Sequence, residues 1–168
     1  QLACVLERCV ESIKRHSSAS QALKIIHRLF DTRADSAAGS VSSASLAREK
    51  LLDDIEARHG LLGLVLAETT DYHRRACDAA ADVSRGPSAD GAGAAETTCW
   101  SERVLVGRRV THRAALTVGL EVAGFVAENC TSTTLKFEHI SALWGRLIQN
   151  PLAPDEPNLL LAWLARVA

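Results

Sequence analysis

The chain has no methionine, four prolines and ten glycines in 168 residues, and only 4% of its side chains are aromatic. Aromatics this sparse, and not interleaved with a basic cluster, offer little stacking platform for single-stranded nucleic acid. Charge of one sign is also missing: 19 Lys and Arg face 20 Asp and Glu, for a net charge of −1. Nucleic-acid binders show a basic excess or stripe that neutralises phosphates, so the balance argues against that partner. No run of about 18 apolar residues occurs, and the amino end lacks a basic-then-apolar layout, so neither a membrane span nor a secretion signal is expected. The five cysteines (Cys4, Cys9, Cys77, Cys99 and Cys130) are odd in number and contain no Cys-x-x-Cys pair. Neither a disulfide framework nor a structural zinc site has its local spacing, and a reduced, cytoplasmic setting is expected. Gly91 and Gly93 lie in low-complexity alanine and follow no hydrophobic strand, which removes the phosphate-loop reading. A chain that starts with Gln and lacks Met reads as a section of a longer protein.

What is present is helical periodicity. With 47% hydrophobic and 23% charged residues, the chain can bury roughly two-thirds of its extended surface. Leu2, Val5, Leu6, Cys9, Val10 and Ile13 follow the spacing of one helix face, and His16-Ser17-Ser18 ends it. Ser20 is placed to cap a second helix carrying Ala22, Leu23, Ile26, Leu29 and Phe30. A short link between two such helices predicts an antiparallel hairpin over residues 1–30. Residues 31–45 read as a connector. Periodicity returns at Leu46, Leu51, Leu52 and Ile55, Gly60 marks a stop or bend, and Leu61, Leu62, Val65, Leu66, Thr69 and Tyr72 continue, giving a helical segment over 46–83. Residues 84–100 carry too many breakers for a packed element and read as a low-complexity loop.

A final helical segment spans 101–168, with a helix expected from about Thr111 to Glu128. Its paired small residues, Gly119 and Ala123, would admit a close neighbour. Phe137, Ile140, Leu143, Trp144, Leu147 and Ile148 form the clearest stripe, stopped by Asn150-Pro151. That stripe places Trp144 in the core, where Trp144→Ala would cost roughly 3 to 5 kcal/mol. Pro154-Asp155-Glu156-Pro157 opens a last helix with Leu160, Trp163, Leu164 and Val167 on one face. Without a strand pair, the fold class is all-α: antiparallel helix pairs stacked as an armadillo/HEAT-like α-solenoid, with a compact irregular bundle as the alternative.

Chemistry-bearing groups are scattered. A thiol nucleophile needs a His partner and an electropositive setting, and only Cys99 beside Trp100 and Cys130 at a helix end invite that reading, with His112 or His139 as remote partners. Asp71-Tyr72-His73-Arg74-Arg75 and Arg108-Arg109 with His112-Arg113 could hold an anion, but local Asp–Arg pairs on a solvated helix face are favoured. Asp53-Asp54 near Glu56 reads the same way. No catalytic, cofactor-binding or metal-binding residue is therefore assigned.

Two blocks resemble a known family. Leu6-Glu7-Arg8-Cys9-Val10-Glu11-Ser12-Ile13-Lys14 followed by Gln21 to Phe30 is similar to a helix pair in the non-catalytic region of the very large ubiquitin-specific proteases of the fat-facets type. Val118, Leu120, Phe125 and Val126, then Leu135, Ile140, Leu143-Trp144 and Leu147, and finally Trp163-Leu164, resemble that family's later helices. The insert from Ser84 to Thr98 and Ala165 depart from the pattern. The resemblance implies a helical scaffold segment of a thiol-dependent ubiquitin carboxyl-terminal hydrolase, with protein partners and ubiquitinated substrates reached through the parent. Neither an Asn-Thr-Cys-type box nor a Gly-Gly-His-type segment occurs here, so no residue inherits a catalytic role. A helical-repeat adaptor with no protease attached is the alternative.

Overall fold

The computed structural model describes residues 1–30, 43–84, 94–131, 133 and 135–167, with side chains described outside 43–45, 82–84 and 94–110. Their order is α1 (Leu2–Lys14), α2 (Ala19–Phe30), α3 (Ser43–His59), α4 (Leu61–Ser84), α5 (Ala94–Asn129), α6 (Phe137–Leu147) and α7 (Glu156–Val167), with no strand among the described residues. The apolar spacing of α1 buries Leu6, Cys9, Val10 and Ile13. Its end is closed by two crossed bonds, Ser17 N–H to Ser12 O at 3.0 Å and His16 N–H to Ile13 O at 3.0 Å, with His16 in the left-handed region at φ 51. A histidine tolerates that strain where its ring is tied down, and His16 Nδ1 lies 2.7 Å from Glu68 Oε2 of α4.

Between α3 and α4 the chain turns at Gly60, whose φ of +62 suits a residue without Cβ. The Glu56 carboxylate reaches across this break and accepts the Leu62 N–H at 2.7 Å, satisfying a donor that the first turn of α4 leaves free. Glu56 is buried by this role and is not on a solvated face.

Contacts between helices define two layers. α4 and α5 pair antiparallel, since Thr69 meets Gly119 while His73 meets His112. α2 lies parallel to α5: His27 pairs with Glu121 at 2.7 Å and Phe30 stacks on Phe125 with ring centroids 5.2 Å apart. α7 is parallel to α5 on its other side, as Glu156 meets His112, Trp163 meets Gly124 and Arg166 meets Glu128. One layer is thus α2, α5 and α7. The other is α1, α4 and α6, with His16 on Glu68 and His139 beside Gly63. α3 packs on α1, α4 and α5. Equivalent helices of successive pairs stacked in parallel are the mark of an α-solenoid.

Several sequence expectations are corrected. α5 begins at Ala94, so residues 94–100 are helical and not loop, and the helix is not confined to Thr111–Glu128. Alanine and glutamate there propagate a helix already nucleated downstream, and propagation adds one bond per residue fixed. Val104 to Val106, though β-prone, lie within it. α3 likewise starts at Ser43, inside the expected connector, and α2 at Ala19, ahead of the expected cap Ser20. The rest of both connectors, 31–42 and 85–93, lies outside the described residues. Leu46 is exposed. On α6 only Leu143 and Leu147 are buried; Phe137 is 81% and Trp144 42% exposed. The stripe is wider than the single face that α4 and α7 cover, so Trp144 lies at its edge.

Two comparisons test this packing. In urea unfolding, Leu143→Ala should cost about 2 to 5 kcal/mol, as for other fully buried leucines. Trp144→Ala should cost about 1 kcal/mol or less, in line with a substitution at the surface. At Gly119 an added Cβ would lie 2.3 Å from Thr69 Oγ1, which is fixed by its own bond to Val65 O at 2.7 Å. Gly119→Ala should therefore destabilise by about 1 to 3 kcal/mol, despite alanine's better helix propensity. At Gly124 the nearest atom is the far end of the flexible Arg166. Gly124→Ala should cost less than Gly119→Ala, about 0 to 2 kcal/mol, since it displaces the flexible Arg166 from its exposed ion pair and presses on the buried Trp163 Nε1 at 3.1 Å.

Candidate functional site

Most side chains singled out from the sequence are spent on structure. Arg74 donates to Asp71 at 2.7 Å and to Asp78 at 3.1 Å, while Arg75 donates to Glu68 at 2.6 Å and pairs with Asp71 at 3.2 Å. Asp53 accepts the Thr131 N–H at 2.9 Å and fastens the turn after α5. Arg113 pairs with Asp155. The side chains of Cys99, Trp100, Arg108 and Arg109 lie outside the described residues. Cys130 is buried, and burial pushes its thiol up to about 11, only partly opposed by a hydrogen bond with Thr133. A thiol held protonated near neutral pH is a poor nucleophile. His139 accepts the Lys136 N–H at 3.4 Å at the start of α6. Cys9 too is raised by burial, as a packed thiol on the α1 stripe.

One polar cluster stands apart because it is buried. His73 of α4 is 1% exposed, His112 of α5 is 2% and Glu156, the first residue of α7, is 0%. By spacing alone, His73 falls on a solvated face and His112 is a distant thiol partner. The available signal was register: Leu62, Leu66, Thr69 and His73 share one stripe, as do His112, Leu116, Gly119 and Ala123. Glu156 folds back over the start of α7, where Oε2 accepts the Leu152 N–H at 2.7 Å and lies 3.0 Å from His73 Nε2. His112 Nδ1 lies 3.2 Å from Glu156 Oε1 as an ion pair, and among the described residues neither Oε1 nor His112 Nε2, both buried, has an aligned hydrogen-bond partner. The two imidazoles lie against each other with centroids 5.1 Å apart, Tyr72 stacks on His112 at 5.7 Å, and Cys77 Sγ is 3.5 Å from His73 Nδ1.

The electrostatics follow from this geometry. Burial by itself would raise the Glu156 carboxyl, but the contacts from His112, His73 and the Leu152 N–H outweigh it and bring it down to about 2. Cys77 is raised, by burial first and by the Glu156 charge next. The cluster is an anion held by groups from two other helices and from the turn before its own. Its donor set, two imidazoles and a carboxylate within 4.8 Å of one another, is also one that divalent transition metals accept.

Stacked antiparallel helix pairs forming two parallel layers put the protein in the armadillo-like class of α-solenoids. The family model described as the UBP24/USP9X/USP9Y ARM repeat matches residues 3–168, and the chain belongs to that family. No curated protein and no solved structure matches it. ARM repeat domains generally mediate protein interactions, and no helix among the described residues is long and apolar enough to cross a membrane.

The depressed carboxyl gives a signed prediction for the metal-free chain. A folded-state value of about 2 against an ordinary 4.5 contributes stability that is complete above pH 4.5 and is lost as pH falls toward 2. The loss should be on the order of 3 kcal/mol. Glu156→Gln, which keeps the acceptor for Leu152, should flatten this window in chemical unfolding measured from pH 5 to pH 2. The same variant should cost about 3 to 5 kcal/mol at neutral pH, the usual effect of removing one partner from a buried charged set.

Proposed function

We propose that this segment is non-catalytic helical scaffold in a large cytoplasmic ubiquitin carboxyl-terminal hydrolase, a thiol-dependent deubiquitinase, and serves substrate recruitment or assembly. The observation that carries the reading is the match to the UBP24/USP9X/USP9Y ARM repeat across residues 3–168. The chemistry agrees with it: burial pushes the thiols of Cys9, Cys77 and Cys130 up, away from the thiolate a cysteine hydrolase needs. The isopeptide chemistry then belongs to another part of the parent, which removes ubiquitin from protein substrates. A helical-repeat adaptor without a protease is the competing reading, and the open reading frame separates the two.

A ubiquitin-based covalent probe tests the assignment. It should label the full-length parent and leave this chain unlabelled. Labelling of the chain that disappears in Cys130→Ala or Cys99→Ala would overturn the scaffold reading, and a parent that no probe labels would favour the adaptor.

A further inference from the structure

We infer that His73, His112 and Glu156 form a buried binding site for a single Zn2+ ion, with His73 Nε2, His112 Nδ1 and the Glu156 carboxylate as its protein ligands. The separations suit this. Zinc takes imidazole nitrogen and carboxylate oxygen at about 2.0 to 2.2 Å, so tetrahedral ligands lie roughly 3.3 Å from one another. His73 Nε2 is 3.0 Å and His112 Nδ1 is 3.2 Å from the Glu156 oxygens, and the three donor atoms lie within 4.8 Å of one another.

The second observation is the unmade hydrogen bond. Among the described residues, Glu156 Oε1 is fully buried and meets only His112 Nδ1, at 3.2 Å, as an ion pair that falls short of an aligned hydrogen bond. Two ligand atoms this close but poorly aligned with each other leave both lone pairs free to face a common third atom. A buried carboxylate oxygen without a partner is otherwise costly.

The proton balance is simple. A neutral His73 that ligates through Nε2 carries its proton on Nδ1, which can donate a hydrogen bond to Cys77 Sγ at 3.5 Å. His112 ligates through Nδ1 and keeps its proton on Nε2. Any proton held between Glu156 and the imidazoles leaves on binding, so affinity rises with pH. Cys77 Sγ is nearer to His73 Nδ1 than to Nε2, at 3.5 against 3.9 Å, which places it beside the ring and outside the ligand set. The other three-residue cluster, His16 with Glu68 and Asp71, does not compete. The Arg75 guanidinium already occupies both of its carboxylates and repels a cation.

Zinc here would tie α4, α5 and α7 together at one point, a role compatible with a scaffold and independent of whether the parent is a protease. The test uses the tag-free full chain. Metal analysis after purification and zinc dialysis should find about one Zn2+ per chain. The melting midpoint should rise with added Zn2+ and fall with chelator. His112→Gln and Glu156→Gln should weaken Zn2+ binding at least tenfold, while His16→Gln leaves it within a few fold. X-ray absorption of the zinc-loaded wild-type chain needs no variant, and should show nitrogen and oxygen neighbours without sulfur. A midpoint that does not respond to Zn2+, equal binding by Glu156→Gln, or a sulfur-dominated shell would each overturn the site.

Discussion

The distance between α4 and α5 governs the rest of the architecture. It is set where Gly119 lies against Thr69, a contact with no room for a Cβ. α1 and α6 pack on α4, and α2 and α7 pack on α5, so every outer helix takes its position from this pair. Thr69 is held there by its own backbone bond to Val65 O, which keeps the hydroxyl from swinging into the gap. A wider spacing would separate His73 from His112. The polar cluster therefore exists only because a glycine lets two helix backbones approach closely.

Glu156 is the counterpart of that contact on the α7 side. Burying a carboxylate costs several kcal/mol unless donors meet it, and here they come from two other helices and from the turn just before its own. Such a group adds little net stability over a well-packed apolar replacement, but it penalises every arrangement in which its donors are absent. Leucine stripes slide past one another at small cost, whereas a carboxylate that must meet His73, His112 and Leu152 fixes the register of α7 on α4 and α5. Ion pairs at the surface, such as Arg58 of α3 with Glu7 of α1 at 2.5 Å, are screened by solvent and constrain the register far less.

Helix positions were readable from the sequence because one-sided burial leaves a 3.6-residue period, and α1, α2 and α7 show it plainly. The α-solenoid class was readable for the same reason, from short helices, short links and a family resemblance in their apolar pattern. α5 was foreshortened because its first turns carry small and polar residues that leave no stripe. Trp144 was misplaced because periodicity reports a face without reporting what covers it. The cluster was missed for a different reason. Sequence spacing finds ligands within one turn or loop, whereas His73, His112 and Glu156 come from three helices and meet only through packing. His73 was further disguised by Asp71, Arg74 and Arg75, which pair with one another on the outer face while the imidazole points inward.

The buried triad also bears on how an interaction scaffold can tolerate surface variation. A partner-binding surface changes readily if the stacking beneath it is fixed by groups that the surface does not contain. In this chain the exposed apolar groups include Phe137 and Trp144 on α6 and Leu161 on its neighbour α7, and of this pair Glu156 holds α7 in register on α4 and α5. Leu143, Leu147, Leu160 and Trp163 secure that pair from within through area alone, which is strong but non-directional. Direction comes from the carboxylate and its three donors. A loss confined to Glu156 should therefore disturb the orientation of α7 more than the compactness of the core, because the apolar contacts persist after the register constraint is gone.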